Sequence, residues 1–374
     1  MTKSPWQRPA RLALLAAGTV AFAAVLEIAS RWLAPAGSPI QRRFPVELTR
    51  VPRPYTMFAG MPRVELNFGE YVARLNAGGY RGRSADAPRA RGELRVFALG
   101  GSTLFLGEPS IPDLLEAELH RLGLEGATVF NYGVISSVSG QELARLLFEV
   151  VERDPDLIIF YNGGNDMISP ALFDPRPGYP FNFAAYENNP LLSRDLASYP
   201  TLPLLAYGSN VARTLFGSYF IRSFVDLDRY RSAVGFGGPA WKQAIASIYV
   251  DRLVKAQKVS AAFGADFIAF FQPLVFFKPQ LSPVESEIVR AAGSLPLLTR
   301  ELREMVRAEL ERRRSGSDLK AVDLSGLFES EQGEIFFDEI HTLPEGNRRV
   351  SAALAQHAAS ALRARAAKPT TGRP

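Results

Sequence analysis

An α/β fold built on a parallel sheet is the architecture this sequence predicts, and three observations predict it. Short apolar runs recur along the chain, at residues 94–99 (LRVFAL), 128–132 (TVFNY), 157–161 (LIIFY), 266–271 (DFIAFF) and 319–324. Segments with helical apolar spacing lie between or after them, at 112–122, 140–153, 240–263, 283–314 and 343–365. Continuous rather than alternating apolar runs suit strands covered by helices on both faces. The third observation is bulk: of 374 residues, 47% are apolar, enough to fill one sizeable core.

The elements follow in order from their punctuation. The first run ends in Gly100-Gly101 and the third in Asn162-Gly163-Gly164, where the missing Cβ lets backbones turn sharply. Pro273 stops the fourth strand, while Gly293 and Pro296 should break the helix that follows it. Thr342-Leu343-Pro344-Glu345 reads as a capping box opening the last helix, with Thr342 as N-cap. Residues 34–92 are rich in Pro, Arg and Gly and read as a linker and irregular lead-in, with a turn at 76–82. Residues 167–239 break the alternation with aromatics, prolines and asparagines, so they are expected to be an insertion of lid or binding-loop character. The expected organisation is therefore a stub and anchor over 1–33, the linker over 34–92, a domain over 93–366 carrying the insertion, and a polar tail over 367–374.

The anchor rests on charge and hydropathy. Lys3, Arg8 and Arg11 precede an apolar run that Glu27 interrupts, and Arg31 and Trp32 follow. Glu27 and Arg31 are four residues apart and pair on one helical face. Ala34-Pro35-Ala36 is a poor cleavage site, which favours an uncleaved transmembrane helix over a signal peptide. The positive-inside bias places the N-terminus in the cytoplasm and the body outside it, in the periplasm.

Residues 1–53 carry eight basic and two acidic side chains, so of the net +5 the rest of the chain holds −1. A nearly neutral body excludes nucleic acid as a partner. There is no cysteine, so disulfides, thiolate metal sites and a Cys nucleophile are excluded. Three histidines, His120, His341 and His357, are too few for a multi-histidine metal site, and neither metal nor cofactor is expected. His120 and His357 sit on amphipathic helices and read as surface or packing residues.

Ligands of open α/β sheets bind beyond the carboxyl ends of the strands. Ser102 follows the first strand, Asn131-Tyr132-Gly133 ends the second, and Gly163-Gly164-Asn165-Asp166 ends the third. Asp338-Glu339-Ile340-His341 lies near the C-terminus. Ester hydrolysis needs a nucleophile, a base, a group that orients the base, and donors for the oxyanion. Ser102, His341 and Asp338 supply the first three. The backbone N–H groups of Ser102 and Gly133 and the side-chain amide of Asn165 supply the donors. Each motif alone is more often a plain turn or loop; four in this order at strand ends point to chemistry. The G-x-S-x-G elbow is absent, because position 104 is Leu.

Together these blocks resemble the signature segments of the SGNH (GDSL-like) serine hydrolases, over about 94–362. The resemblance implies a three-layer, flavodoxin-like α/β/α fold and esterase or acylhydrolase chemistry on acyl, including acetyl, esters of small molecules, glycans or lipids. It also gives Ser102, Gly133, Asn165 and His341 the defining roles. The sequence departs from that family in having Gly101 where an Asp is usual. An O-acyltransferase of an envelope glycan, and a glycan-binding protein of the same fold, are the alternative readings; the intact set of Ser102, Asn165, Asp338 and His341 counts against a mere binder.

Overall fold

The structure is a computed structural model, and it describes residues 7–33, 49–189, 197, 200–212, 215–216 and 224–366. The tail expected at 367–374 and the start of the expected linker, to residue 48, lie outside these residues. The chain divides into two compact units, one of Met1–Pro45 with Ala184–Asp226 and one of Val46–Phe183 with Leu227–Pro374.

In the larger unit the strands are β1 (Val51–Arg53), β2 (Met57–Ala59), β3 (Glu65–Asn67), β4 (Val72–Arg74), β5 (Leu94–Gly100), β6 (Ala127–Gly133), β7 (Leu157–Asn162), β8 (Asp266–Phe271) and β9 (Ala321–Asp323). The last five form one sheet in the order β6-β5-β7-β8-β9, every pair parallel. That is the doubly wound order of flavodoxin-like folds, with its switch point between β5 and its neighbours. Val96–Leu99 of β5 and Leu157–Phe160 of β7 are fully buried, which accounts for their unbroken apolar sequence.

Helices cover both faces. Helix Ile111–Arg121 packs against helix Pro344–Ala366. Helix Pro239–Ala262 packs against Ser139–Arg145 and Leu295–Ser317. The first of these starts at a full capping box, in which Ser110 Oγ accepts from the Asp113 N–H and Asp113 accepts from the Ser110 N–H. Ile111, Leu115 and Leu119 form its buried stripe. The long helix expected at 283–314 is indeed two, Pro283–Ala291 and Leu295–Ser317, parted at Gly293 in a left-handed conformation.

Two expectations are corrected. Thr342 does not cap the last helix: it bridges to Phe336 in the backbone, and its hydroxyl donates to Asn347 Oδ1 at 2.6 Å. Glu345 turns outward to Arg348 and Arg349. The lead-in is also not irregular throughout, because β1 pairs with β2 and β3 with β4 as antiparallel hairpins. Arg95, buried at the start of β5, ties the lead-in to the sheet by donating to the carbonyls of Ala85 and Ala87.

In the smaller unit, helix Gln7–Leu33 includes a 22-residue stretch, Leu12–Leu33, containing an 18-residue window of mean hydropathy 2.2, long and apolar enough to cross a membrane. Helix Thr201–Tyr207 belongs to the same unit. The expected pairing of Glu27 with Arg31 is present, with Arg31 Nε donating at 3.0 Å.

Candidate active site

The site is built where β5, β6 and β7 end. Gly100 and Gly101 lead from β5 into the helical turn Ser102–Phe105. Neither tolerates a side chain. A Cβ at Gly100 would lie 2.4 Å from the Tyr161 carbonyl oxygen, and one at Gly101 would lie 2.6 Å from Asn165 Nδ2. The latter gives a local reason for Gly at 101, since the Asn165 amide occupies the space that any side chain there would need.

Ser102 is buried. Its Oγ lies 2.7 Å from His341 Nε2, and His341 Nδ1 lies 2.6 Å from Asp338 Oδ2. With Nδ1 donating to the carboxylate, Nε2 is left to accept from the serine hydroxyl. The other Asp338 oxygen accepts from the N–H groups of His341 (2.7 Å) and Ile340 (2.9 Å). One carboxylate thus fixes both the loop and the ring. Burial alone would raise the Asp338 pKa, but its hydrogen bonds with His341 and the neighbouring amides outweigh this and hold it below the usual value. The Phe337 ring stacks on the imidazole at 5.6 Å.

The loop is braced from below. Lys278 and Glu285 are completely buried as an ion pair at 2.5 Å. Glu285 also accepts from the Ile335 (2.9 Å) and Phe336 (3.2 Å) N–H groups, and Lys278 donates to the Gly333 carbonyl. All of the charge's donors are therefore in place, as a buried carboxylate requires.

Asn165 stands in the first turn of helix Gly164–Leu172 and donates to the Ser137 carbonyl at 2.8 Å, leaving its second amide hydrogen free for a ligand. Asp166 is buried and accepts from both the N–H and the hydroxyl of Ser139. It thereby fastens the Asn165 helix to the segment after β6. Behind that segment lies a buried polar set. Arg145 donates to Ser137 Oγ, Asn162 donates to Glu142, and Tyr249 donates to Asn162 Oδ1 at 2.8 Å.

The structure does not bring Gly133 to the site. It closes β6, its N–H donates to Asn131 Oδ1 at 2.9 Å, and Asn131 Nδ2 in turn holds the Leu104 carbonyl. That amide is committed inside the sheet. The residue that reaches the site is Ser136. The Ser137 N–H bonds to the Val134 carbonyl at 3.0 Å, and Ser136 has φ of 66° at the third position of this turn. That is the geometry of a type II turn, which normally calls for Gly or Asn there. A serine carries no mark of a positive φ, so the residue type gave no signal.

Ser102, Ser136, Asn165 and His341 line one cleft of about 460 Å³. Its walls are largely apolar, with Phe68, Ile135, Ile168, Leu172, Leu295 and Ile340 among them. Among the described residues, no group of three His, Asp or Glu side chains is placed to hold a metal ion. His120 bonds to the Ala127 carbonyl and His357 packs edge-on against Phe270, both away from this cleft.

No protein-family model and no curated protein matches the chain. Solved structures similar to it include a GDSL-like lipase from Bacteroides thetaiotaomicron, at 13% identity over 74% of this chain and 93% of that one, with a TM-score of 0.38. A lipase/acylhydrolase from Enterococcus faecalis matches at 12% identity over 71% and 96%, TM-score 0.38. An acetyl xylan esterase from Geobacillus stearothermophilus matches at 12% over 70% and 93%, TM-score 0.37.

Proposed function

We propose that this protein is a membrane-anchored, extracytoplasmic serine esterase that cleaves acyl esters through an acyl-enzyme. The observation that carries the reading is the unbroken hydrogen-bond chain from Ser102 through His341 to Asp338. Ser102 Oγ attacks the ester carbonyl carbon and passes its proton to His341 Nε2. The oxyanion forms against the Ser102 N–H and the Asn165 amide. The Ser136 N–H takes the third place that Gly133 cannot fill, since Ser136 lines the cleft. Collapse breaks the bond to the alcohol, which leaves with the proton from His341. Water then attacks the acyl carbon, His341 accepts its proton, and the carboxylic acid departs as Ser102 regains its own.

The apolar walls favour the acyl side of the substrate over a sugar as the part that enters the cleft. The length and hydropathy of Leu12–Leu33, with Lys3, Arg8 and Arg11 directly ahead of it, support the anchored placement. A fluorophosphonate probe with peptide mapping tests the reading: Ser102 should carry the label, and p-nitrophenyl esters should be hydrolysed. Labelling elsewhere, or none on folded protein, would overturn it.

A further inference from the structure

Glu27 places a carboxylate at the end of the apolar run Leu12–Leu26, one turn before Arg31. Within hydrocarbon or its boundary such a group persists only where donors meet it. Arg31, one turn on, supplies one donor at 3.0 Å, and the others come from the distant segment that belongs to the same compact unit. Glu27 accepts from the Asn210 N–H at 2.7 Å, the Ser209 hydroxyl at 2.9 Å and the Val211 N–H at 3.2 Å. One turn on, Ser30 Oγ accepts from Asn210 Nδ2 at 3.1 Å.

From Leu12 to Glu27 a helix rises about 22 Å, leaving about 9 Å to Leu33, against a hydrocarbon core of about 30 Å. Glu27 therefore falls near the outer boundary of a spanning helix. Its donors on 209–211 must lie at the same depth. The segment is composed for that place. Residues 200–220 contain a single charged side chain, Arg213, whereas 22% of the whole chain is charged. Leu202, Leu215 and Phe216 are 77%, 67% and 56% exposed, as are the flanks of Leu12–Leu33. Three large apolar side chains held open beside an anchor helix are fitted to lipid rather than water.

We propose that residues 200–212 with Leu215 and Phe216 form a second membrane contact. They seat in the outer interface of the bilayer, docked on the anchor helix through Glu27. This rests on the anchored reading above and goes beyond it, since it gives the body a hold on the membrane that does not pass through residues 34–45. The test places a specific protease site at residues 36–42 of the full-length chain in native membranes. After cleavage the body should still sediment with the membrane. In the triple variant Leu202→Asp, Leu215→Asp and Phe216→Asp, the body should sediment before cleavage and appear in the supernatant after it, with an unchanged protease-resistant core. Release of the wild-type body on cleavage overturns the inference, as does a triple variant retained like wild type. Uncut wild type found in the supernatant would instead sink the anchored reading itself.

Discussion

Asn165, which lines the cleft, is tied to the buried Ser137, the side-chain amide of one donating to the backbone carbonyl of the other at 2.8 Å. The bond fixes the plane of the amide before any substrate arrives. In the proposed mechanism the same group meets the oxyanion without reorganising. Asn165→Ala should therefore lower kcat by roughly 10²–10³-fold while KM moves little. Steady-state kinetics on a p-nitrophenyl ester decide it, and a variant within about twofold of wild type would remove Asn165 from the mechanism.

Ser102, His341 and Asp338 should behave as one device. Ser102→Ala, His341→Ala and the double variant should lose activity to a similar level, because removing any proton-transfer partner disables the step. Asp338→Asn keeps the loop's shape but removes the charge that stabilises the imidazolium, and should be impaired more mildly. If His341→Ala keeps full turnover while Ser102→Ala is inactive, the base lies elsewhere.

Gly133 and Ser136 should respond in opposite ways. A methyl at 133 would lie 2.8 Å from Leu104 Cβ and 3.0 Å from the Gly101 carbonyl oxygen. Gly133→Ala should cost roughly 1–3 kcal/mol of stability through overpacking. At Ser136 the left-handed backbone costs an L-residue about 1–2 kcal/mol, so Ser136→Gly relieves strain against a smaller loss to unfolded-state entropy. Its melting temperature should hold or rise by up to about 3 °C, with activity kept. A clear fall would show that the serine side chain, not the backbone, maintains the turn.

Glu142 is wholly buried behind the same turn. Burial first, and the Asp166 charge second, push its pKa up to about 8, against the pull of Arg145. A folded pKa above the unfolded one means the native state binds the extra proton, so stability falls as pH rises from the unfolded value near 4.5 to about 8. Denaturant midpoints across that window should decline for wild type and stay flatter for Glu142→Gln. Equal slopes for both would assign the pH dependence to other groups.

Much of the sheet was legible because its strands are buried on both faces: Val96–Leu99 and Leu157–Phe160 had to be apolar without interruption. That Ser102, Asp338 and His341 meet was legible because few residue types can serve as nucleophile, orienting acid and base, and because the three occur in that order outside the strands. The hairpins β1–β4 were not, since three-residue strands are too short to show an alternation. The position of Gly133 was misread for a different reason: its N–H is held by Asn131 inside the sheet. A backbone amide leaves no trace in its own side chain, so nothing in the sequence marked that Ser136 rather than Gly133 lines the cleft. Thr342 followed the same pattern, with a hydroxyl that matched a cap in sequence but found Asn347 in space.

Ser102 and His341 are 239 residues apart in the chain, and His341 belongs to the loop before helix Pro344–Ala366. Translation therefore makes the apolar helix before Ser102, and Ser102 long before His341. In this reading a nascent chain carries its membrane segment long before it carries a working site.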